Sequence, residues 1–304
     1  MKGEAALKIR LRFRDISFDI VNYVLLALLG FITLYPFINL LAVSLNDPLD
    51  TVRGQVYFFP NKFTLDNFKI VFDDSALYMA GLRSILRTVV GTFLSVICTM
   101  MLAYTLTRKD FILRKSINLI MIVSMYVTGG IIPSYLLIKG LGLTNSFWVY
   151  ILPGLIGVFN VIIMRTAMEG LPEGLIESAR IEGANDFQVL FRIILPISLP
   201  VLATVTLFNS VGHWNSWFDN YLYNTRDNLN LLQYELMKIL LQSTSQMVNN
   251  ASSTGYVDSD AVKNVTPEAI RATMTVIVTF PILLVYPFLQ KYFIKGALIG
   301  AVKE

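Results

Sequence analysis

The sequence predicts an all-α membrane protein with six transmembrane helices, and three observations carry that expectation. Hydrophobic residues make up 55% of the 304 and charged residues only 15%, too apolar a balance for a soluble domain of this size. Six apolar runs each reach the ~20 residues that cross a hydrocarbon core as a helix. The 25 lysines and arginines gather at the ends of those runs and not on one polar domain. That is the membrane pattern, and it removes nucleic acid as the meaning of a net charge of +4.

Residues 2–14 carry Lys2, Lys8, Arg10, Arg12 and Arg14 ahead of an apolar run over about 16–44. The opening looks like a signal peptide, with Ala42-Val43-Ser44 in place of a cleavage site. Its apolar run is far longer than the ~7–15 residues of a signal, so it reads as a retained first span. Further spans are expected over 81–106, 116–138, 146–168, 192–212 and 270–294, all within one domain of residues 1–304. Fifteen of the 25 basic residues then fall on one side, including Arg108, Lys109, Arg114 and Lys115 of the short 107–115 connection. Short connections weigh most in the positive-inside rule. Both termini and the 169–191 connection are therefore expected in the cytoplasm.

Two connections on the other side are long, 45–80 and 213–269. In the first, Thr64 is placed to cap a short helix while Phe63 staples against Phe68. The second opens on His213-Trp214-Asn215-Ser216-Trp217-Phe218 and holds a Ser/Thr/Asn-rich run at 243–254; connections of that length are usually functional or disordered. The crowd of Trp214, Trp217, Phe218, Tyr221 and Tyr223 fits an interfacial aromatic belt. It also fits the lining of a sugar path, with rings under the C–H faces and Asn209 or Asn215 on the hydroxyls. Asn209, His213, Trp214, Asn215 and Trp217 are the substrate-path candidates.

Other chemistries find little support. There is no G-x-x-x-x-G-K-[ST] loop for a nucleotide. His213 is the one histidine and Cys98 the one cysteine, so neither a zinc site nor an intrachain disulfide is expected. A catalytic triad would have to use His213, perhaps with Asp219, and closeness in sequence is no evidence of that geometry.

The stretch from Glu169 to Pro200 is polar, patterned as helix, and set between two spans. Pro172 suits a first helical position, Glu173 and Glu177 suit the positive end of the helix dipole, and Leu175, Ile176 and Ala179 form an apolar stripe. Gly183 ends the helix where a left-handed cap needs no Cβ, and Asn185 caps a second short helix. Glu177-Ser178-Ala179, Gly183, Ile193, Leu195 and Pro196 stand at the spacing of the EAA loop of ABC importer permeases, with Ser178 for the first alanine. The stretch resembles that loop.

Ala103-Tyr104 with Arg108, Trp214-Asn215, and the ending from Gln290 to Lys303 are similar to elements of sugar-permease subunits. The likeness is to the small maltose-type subunit of carbohydrate importers and, within it, to the LplC/YtcP group. The resemblance implies a type I ABC importer permease of the bacterial cytoplasmic membrane, moving an oligosaccharide by alternating access. It implies a second homologous permease, two ATPase subunits and an extracellular solute-binding lipoprotein as partners. This chain then has no cofactor of its own, ATP and Mg being bound by the ATPase subunits. Leu175, Ile176, Glu177, Ser178, Ala179, Gly183 and Ala184 are the implied ATPase-coupling residues. The rival reading is a membrane-embedded enzyme of envelope polysaccharide metabolism built on 213–269, for which a cluster of ionisable groups is needed and none is apparent.

The topology is testable with single cysteines at Lys109 and Ser253, Cys98 being replaced. On intact cells an impermeant thiol reagent is expected to label position 253 and not 109; the reverse pattern overturns the orientation.

Overall fold

The computed structural model describes residues 13–54, 56–241 and 266–301. The basic residues from Lys2 to Arg12 and the run 243–254 therefore lie outside the described residues, as do the final residues from Val302. The principal helices are α1 (Phe13–Ser44), α2 (Ser75–Thr107), α3 (Arg114–Tyr126), α4 (Ile131–Gly140), α5 (Val158–Glu169), α6 (Glu173–Ile181), α7 (Leu199–Asn215), α8 (Phe218–Tyr223) and α9 (Pro267–Ala301). A further helical stretch covers 232–241. No strand occurs among the described residues, in keeping with the expected all-α class.

Length and apolarity let three of these helices cross a membrane, with two bent pairs as further candidates. The expected spans at 16–44, 81–106 and 270–294 are continuous helices that run past the boundaries read from sequence. The other three are broken. The 116–138 span is two helices, α3 and α4, parted at Val127–Gly130, where Gly130 takes φ +83°; the Ser134 hydroxyl donates back to Gly130 O at 2.8 Å. The 146–168 span is a 3-10 stretch, Phe147–Gly154, followed by α5 at an angle of 49°, with Pro153, Gly154 and Gly157 at the break. The 192–212 span is Asp186–Ile197 and then α7, bent by 88° between Pro196 and Pro200. Apolarity alone carries no mark of these breaks.

The described residues divide into two compact units, one taking the chain up to Lys69 with α9 up to Val276, the other running from Ile70 with α9 from Ile277. In the first unit, Ala42 and Val43 at the end of α1 pack with Val56 and Ala272, and the buried Asn67 amide donates to Ser44 O and Asn46 O. Thr64 does cap the helix Asp66–Asp73, accepting the Asp66 N–H at 3.1 Å. Phe63 is exposed rather than stapled, and its backbone is bridged to Asn46.

In the second unit α2 is the central element, packed against both α7 and α5. Asp74 caps it by accepting the N–H groups of Ala76 and Leu77. Its buried face repeats small residues every four positions, Gly91, Ser95, Thr99 and Ala103. Helices in lipid associate by close backbone approach, which such a stripe permits. At Gly91 the approach is closest: a Cβ would stand 2.7 Å from Nε2 of His213 on α7.

Gly91→Ala is therefore expected to destabilise the chain by about 1–3 kcal/mol. His213→Ala in the same chain should recover most of the loss. Thermal denaturation of the detergent-solubilised protein measures both; simple additivity of the two losses contradicts the contact.

Candidate functional site

The stretch from Glu169 to Pro200 folds as two helical pieces joined by a left-handed turn. Pro172 immediately precedes α6, and the helix ends at Glu182. Gly183 then takes φ +85°, where a Cβ costs about 1 kcal/mol or more. The Ala184 N–H bonds to Ala179 O at 2.9 Å and the Gly183 N–H to Arg180 O at 3.0 Å, the paired bonds of a Schellman ending. That geometry accounts for the spacing of the motif, since Ala179 and Ala184 are its two ends and join one apolar cluster. Asn185 opens the second piece with a reciprocal box: its side chain accepts the Gln188 N–H and Gln188 Oε1 accepts the Asn185 N–H, both at 2.9 Å. A π-helical turn follows at Val189–Ile194, closed by the Leu195 N–H on Leu190 O, next to Pro196, which has no N–H to offer.

The apolar stripe expected on α6 divides between two directions. Ile176 and Ala179, 5% and 6% exposed, sink into a core with Tyr104, Met164, Met168, Val189 and Leu190. Leu175 at 40% and Ile181 at 87% face outward with Glu177 and Ser178. Phe187 is also exposed. Neighbouring residues on a helix point about 100° apart, so Leu175 and Ile176 serve different surfaces.

Polar contacts fasten this segment to the rest of its unit. Tyr104 donates its hydroxyl to Asp186 Oδ1 at 3.2 Å, and Arg180 donates to the same oxygen at 3.0 Å. The Arg108 guanidinium lies 4.8 Å over the Tyr104 ring, a cation–π contact. A cavity of about 350 Å³ opens beside this group, bordered by Phe111, Phe187 and Leu190 as well. Lys109 pairs with Glu173 at 2.6 Å, and its ammonium holds the Glu173 carboxyl below the usual carboxylate range. Arg114 and Arg165 both donate to Glu169 Oε1 at 2.9 Å.

The five path candidates do not converge. Asn160 donates to Asn209 Oδ1 at 3.1 Å, leaving Asn209 Nδ2 buried with no partner among the described residues. His213 lies on Gly91 with Ser95 Oγ 3.5 Å from Nε2. Trp214 is buried and its indole N–H donates to Val278 O at 2.9 Å, three residues before Pro281. Asn215 accepts from Gln233 at 3.2 Å. Trp217 packs edge-on against Phe218, with Tyr221 beside both. None of the five borders the groove of about 660 Å³ between α2 and α7, which Thr88, Thr92, Phe93, Thr206 and Ser210 help to line.

Sequence reasoning missed a buried ion pair made by α2 seventeen positions before Tyr104. Arg87 is 3% exposed; it pairs with Asp219, donates to Ser216 O at 3.0 Å and lies 5.2 Å over the Tyr150 ring. Tyr150 in turn donates to Leu229 O at 2.9 Å, and Ser84 accepts the Leu232 N–H at 2.9 Å. The signal was present as an arginine within an apolar helix, which needs a partner wherever it is buried. Among the described residues no group of three or more His, Cys, Asp or Glu side chains is placed to hold a metal ion.

Comparison with known proteins bears on the same residues. The family model for binding-protein-dependent transport system inner membrane components matches residues 91–299, which includes α2 from Gly91 and the whole Glu169–Pro200 stretch. The chain is 36% identical to the polygalacturonan/rhamnogalacturonan transport system permease protein YtcP of Bacillus subtilis (strain 168), over 94% of this chain and 98% of that one. It is 38% identical to protein LplC of the same strain, over 94% and 95%. Among solved structures, a chain of a bacterial ABC transporter involved in the import of the acidic polysaccharide alginate superposes with a TM-score of 0.83. That match has 27% identity over 93% of this chain and 98% of that chain.

Proposed function

Because the chain belongs to the family of binding-protein-dependent transport system inner membrane components, we propose that it works as the permease subunit of an ATP-driven importer, carrying an oligosaccharide across the bacterial cytoplasmic membrane by alternating access. It catalyses no covalent step in this reading. ATP and Mg are bound by two ATPase subunits, a second homologous permease completes the pore, and an extracellular binding lipoprotein delivers the sugar. The relatives' names support the sugar class. They give the envelope-enzyme alternative no support.

The observation that carries the reading is the division of α6 into two faces. Ile176, Ala179 and Ala184 hold the segment to the spans, while Leu175, Glu177, Ser178 and Ile181 are presented outward for the ATPase. Gly183 fixes the angle between the two helical pieces. ATP binding closes the ATPase pair and displaces α6, and α2, α5 and α7 follow because their side chains share its core. ATP shifts this equilibrium only by its differential affinity for the two states.

The Asn209 amide nitrogen is buried beside Asn160 and Trp214 spends its indole N–H on α9, so neither presents a donor to a sugar in this conformation. The groove beside Thr88, Thr92, Thr206 and Ser210 is almost wholly apolar, because the Thr88, Thr206 and Ser210 hydroxyls bond back to carbonyls of their own helices.

Gly183→Val is expected to leave insertion intact and to abolish sugar uptake, with ATP hydrolysis either futile or lost together with the ATPase. Glu177→Ala is expected to be milder, removing one outward carboxylate without redirecting the chain. Uptake of labelled oligosaccharides, with oligogalacturonides first in the panel, is measured in vesicles beside pull-down of the ATPase. Wild-type uptake by Gly183→Val sinks the coupling role of this segment.

A further inference from the structure

Two polar ties hold α2 at separate points along its length. At one end of α2, Tyr104 reaches Asp186 of the coupling segment at 3.2 Å, and the same carboxylate oxygen is held by Arg180 at 3.0 Å. The cavity of about 350 Å³ beside this contact leaves the hydrogen bond spanning the edge of a cleft. Nearer the middle of the helix, Arg87 is tied to Asp219 and Ser216 O, and Ser84 accepts the Leu232 N–H. These contacts bind α2 to the layer formed by α8 and 227–232. Arg87 and Tyr104 are seventeen positions apart, about 25 Å along a helix. Between them runs the buried stripe of Gly91, Ser95, Thr99 and Ala103, along which α2 packs on its neighbours.

We propose that α2 is the strut that carries displacement of the coupling segment to α8 and residues 227–232, with Tyr104 and Asp186 as its positioning residues at one tie and Arg87 and Asp219 at the other. The inference rests on the coupling role proposed above for Glu173–Ile181. A helix hydrogen-bonded along its length moves as a body, so a push at Asp186 arrives at Asp219 without needing a chain of side-chain rearrangements. The ties differ in kind. Arg87 is buried and charge-paired, so it stays fastened; breaking such a pair leaves a buried charge alone. Tyr104 offers a single hydroxyl to a carboxylate that Arg180 also holds, so Asp186 remains paired when that bond opens. The segment-side tie is thus the one that engages and releases.

This physical link is a two-ended contact whose severance is measurable. The importer is purified with its partner subunits through a tag on this chain and placed in lipid nanodiscs with its binding lipoprotein. A reporter cysteine replaces the exposed Asn228, Cys98 being removed, and its reaction rate with a thiol reagent is compared without nucleotide and with ATP plus vanadate. The rate is expected to change with nucleotide in the otherwise unaltered protein and to stop changing in Tyr104→Phe, while thermal stability and ATP hydrolysis persist. In vesicles, sugar moved per ATP should fall about tenfold or more in Tyr104→Phe, the worth of one hydrogen bond to a charged group. An unchanged ratio with the same reporter response overturns the strut, as does a reporter blind to nucleotide in the unaltered protein. Gly183→Val run beside it separates the two readings: if that variant loses uptake while Tyr104→Phe behaves as wild type, coupling stands and the strut falls.

Discussion

Helices surrounded by lipid gain nothing from hiding apolar side chains from one another, so their association depends on how closely backbones approach and which polar groups meet across the gap. In this protein that constraint is met on α2. Gly91, Ser95, Thr99 and Ala103 present almost no side chain to the neighbouring helices, and the His213 ring occupies the space a Cβ at Gly91 would need. The core that gathers beside this stripe includes Tyr104, Met164 and Val205 together with Ile176 and Ala179. The Glu169–Pro200 stretch is therefore seated in the same core as the spans and does not hang from them on a flexible connection.

The second constraint is that backbone groups in hydrocarbon need internal partners. Where the expected spans break, side chains and irregular turns supply them. Ser134 returns a hydrogen bond to Gly130 O, and the π-helical turn carries the Leu195 N–H to Leu190 O beside Pro196; in the unbroken α9, Trp214 adds a donor to Val278 O. A tryptophan that resembles a sugar platform in sequence thus also ties α7 to α9.

Much of this was legible beforehand, because the relevant signals are local. The helical class follows from composition, and Gly183 announces its left-handed turn because the residues before it read as helix and glycine tolerates φ above zero. Which face of α6 is buried was not legible: Leu175, Ile176 and Ala179 look alike as a stripe, and only the position of Tyr104 and Val189 decides that Leu175 faces out. The breaks at 127–130 and 198 were hidden for a similar reason, since hydropathy averages over a window and ignores backbone direction. Arg87 was counted as a charge at a span end. Its partner Asp219 lies over a hundred positions away, on the short helix α8, whose placement sequence periodicity does not report.

The account turns on α6 having one face for its own spans and another for the ATPase. A photoreactive benzophenone side chain placed at Ile181 or at Ile176, in the complex actively hydrolysing ATP, tests that division directly. Irradiation at position 181, 87% exposed, is predicted to link this chain to the ATPase. Position 176, 5% exposed, is predicted to give links within the chain alone. Capture of the ATPase from position 176, or its absence from position 181 in a working complex, contradicts the account.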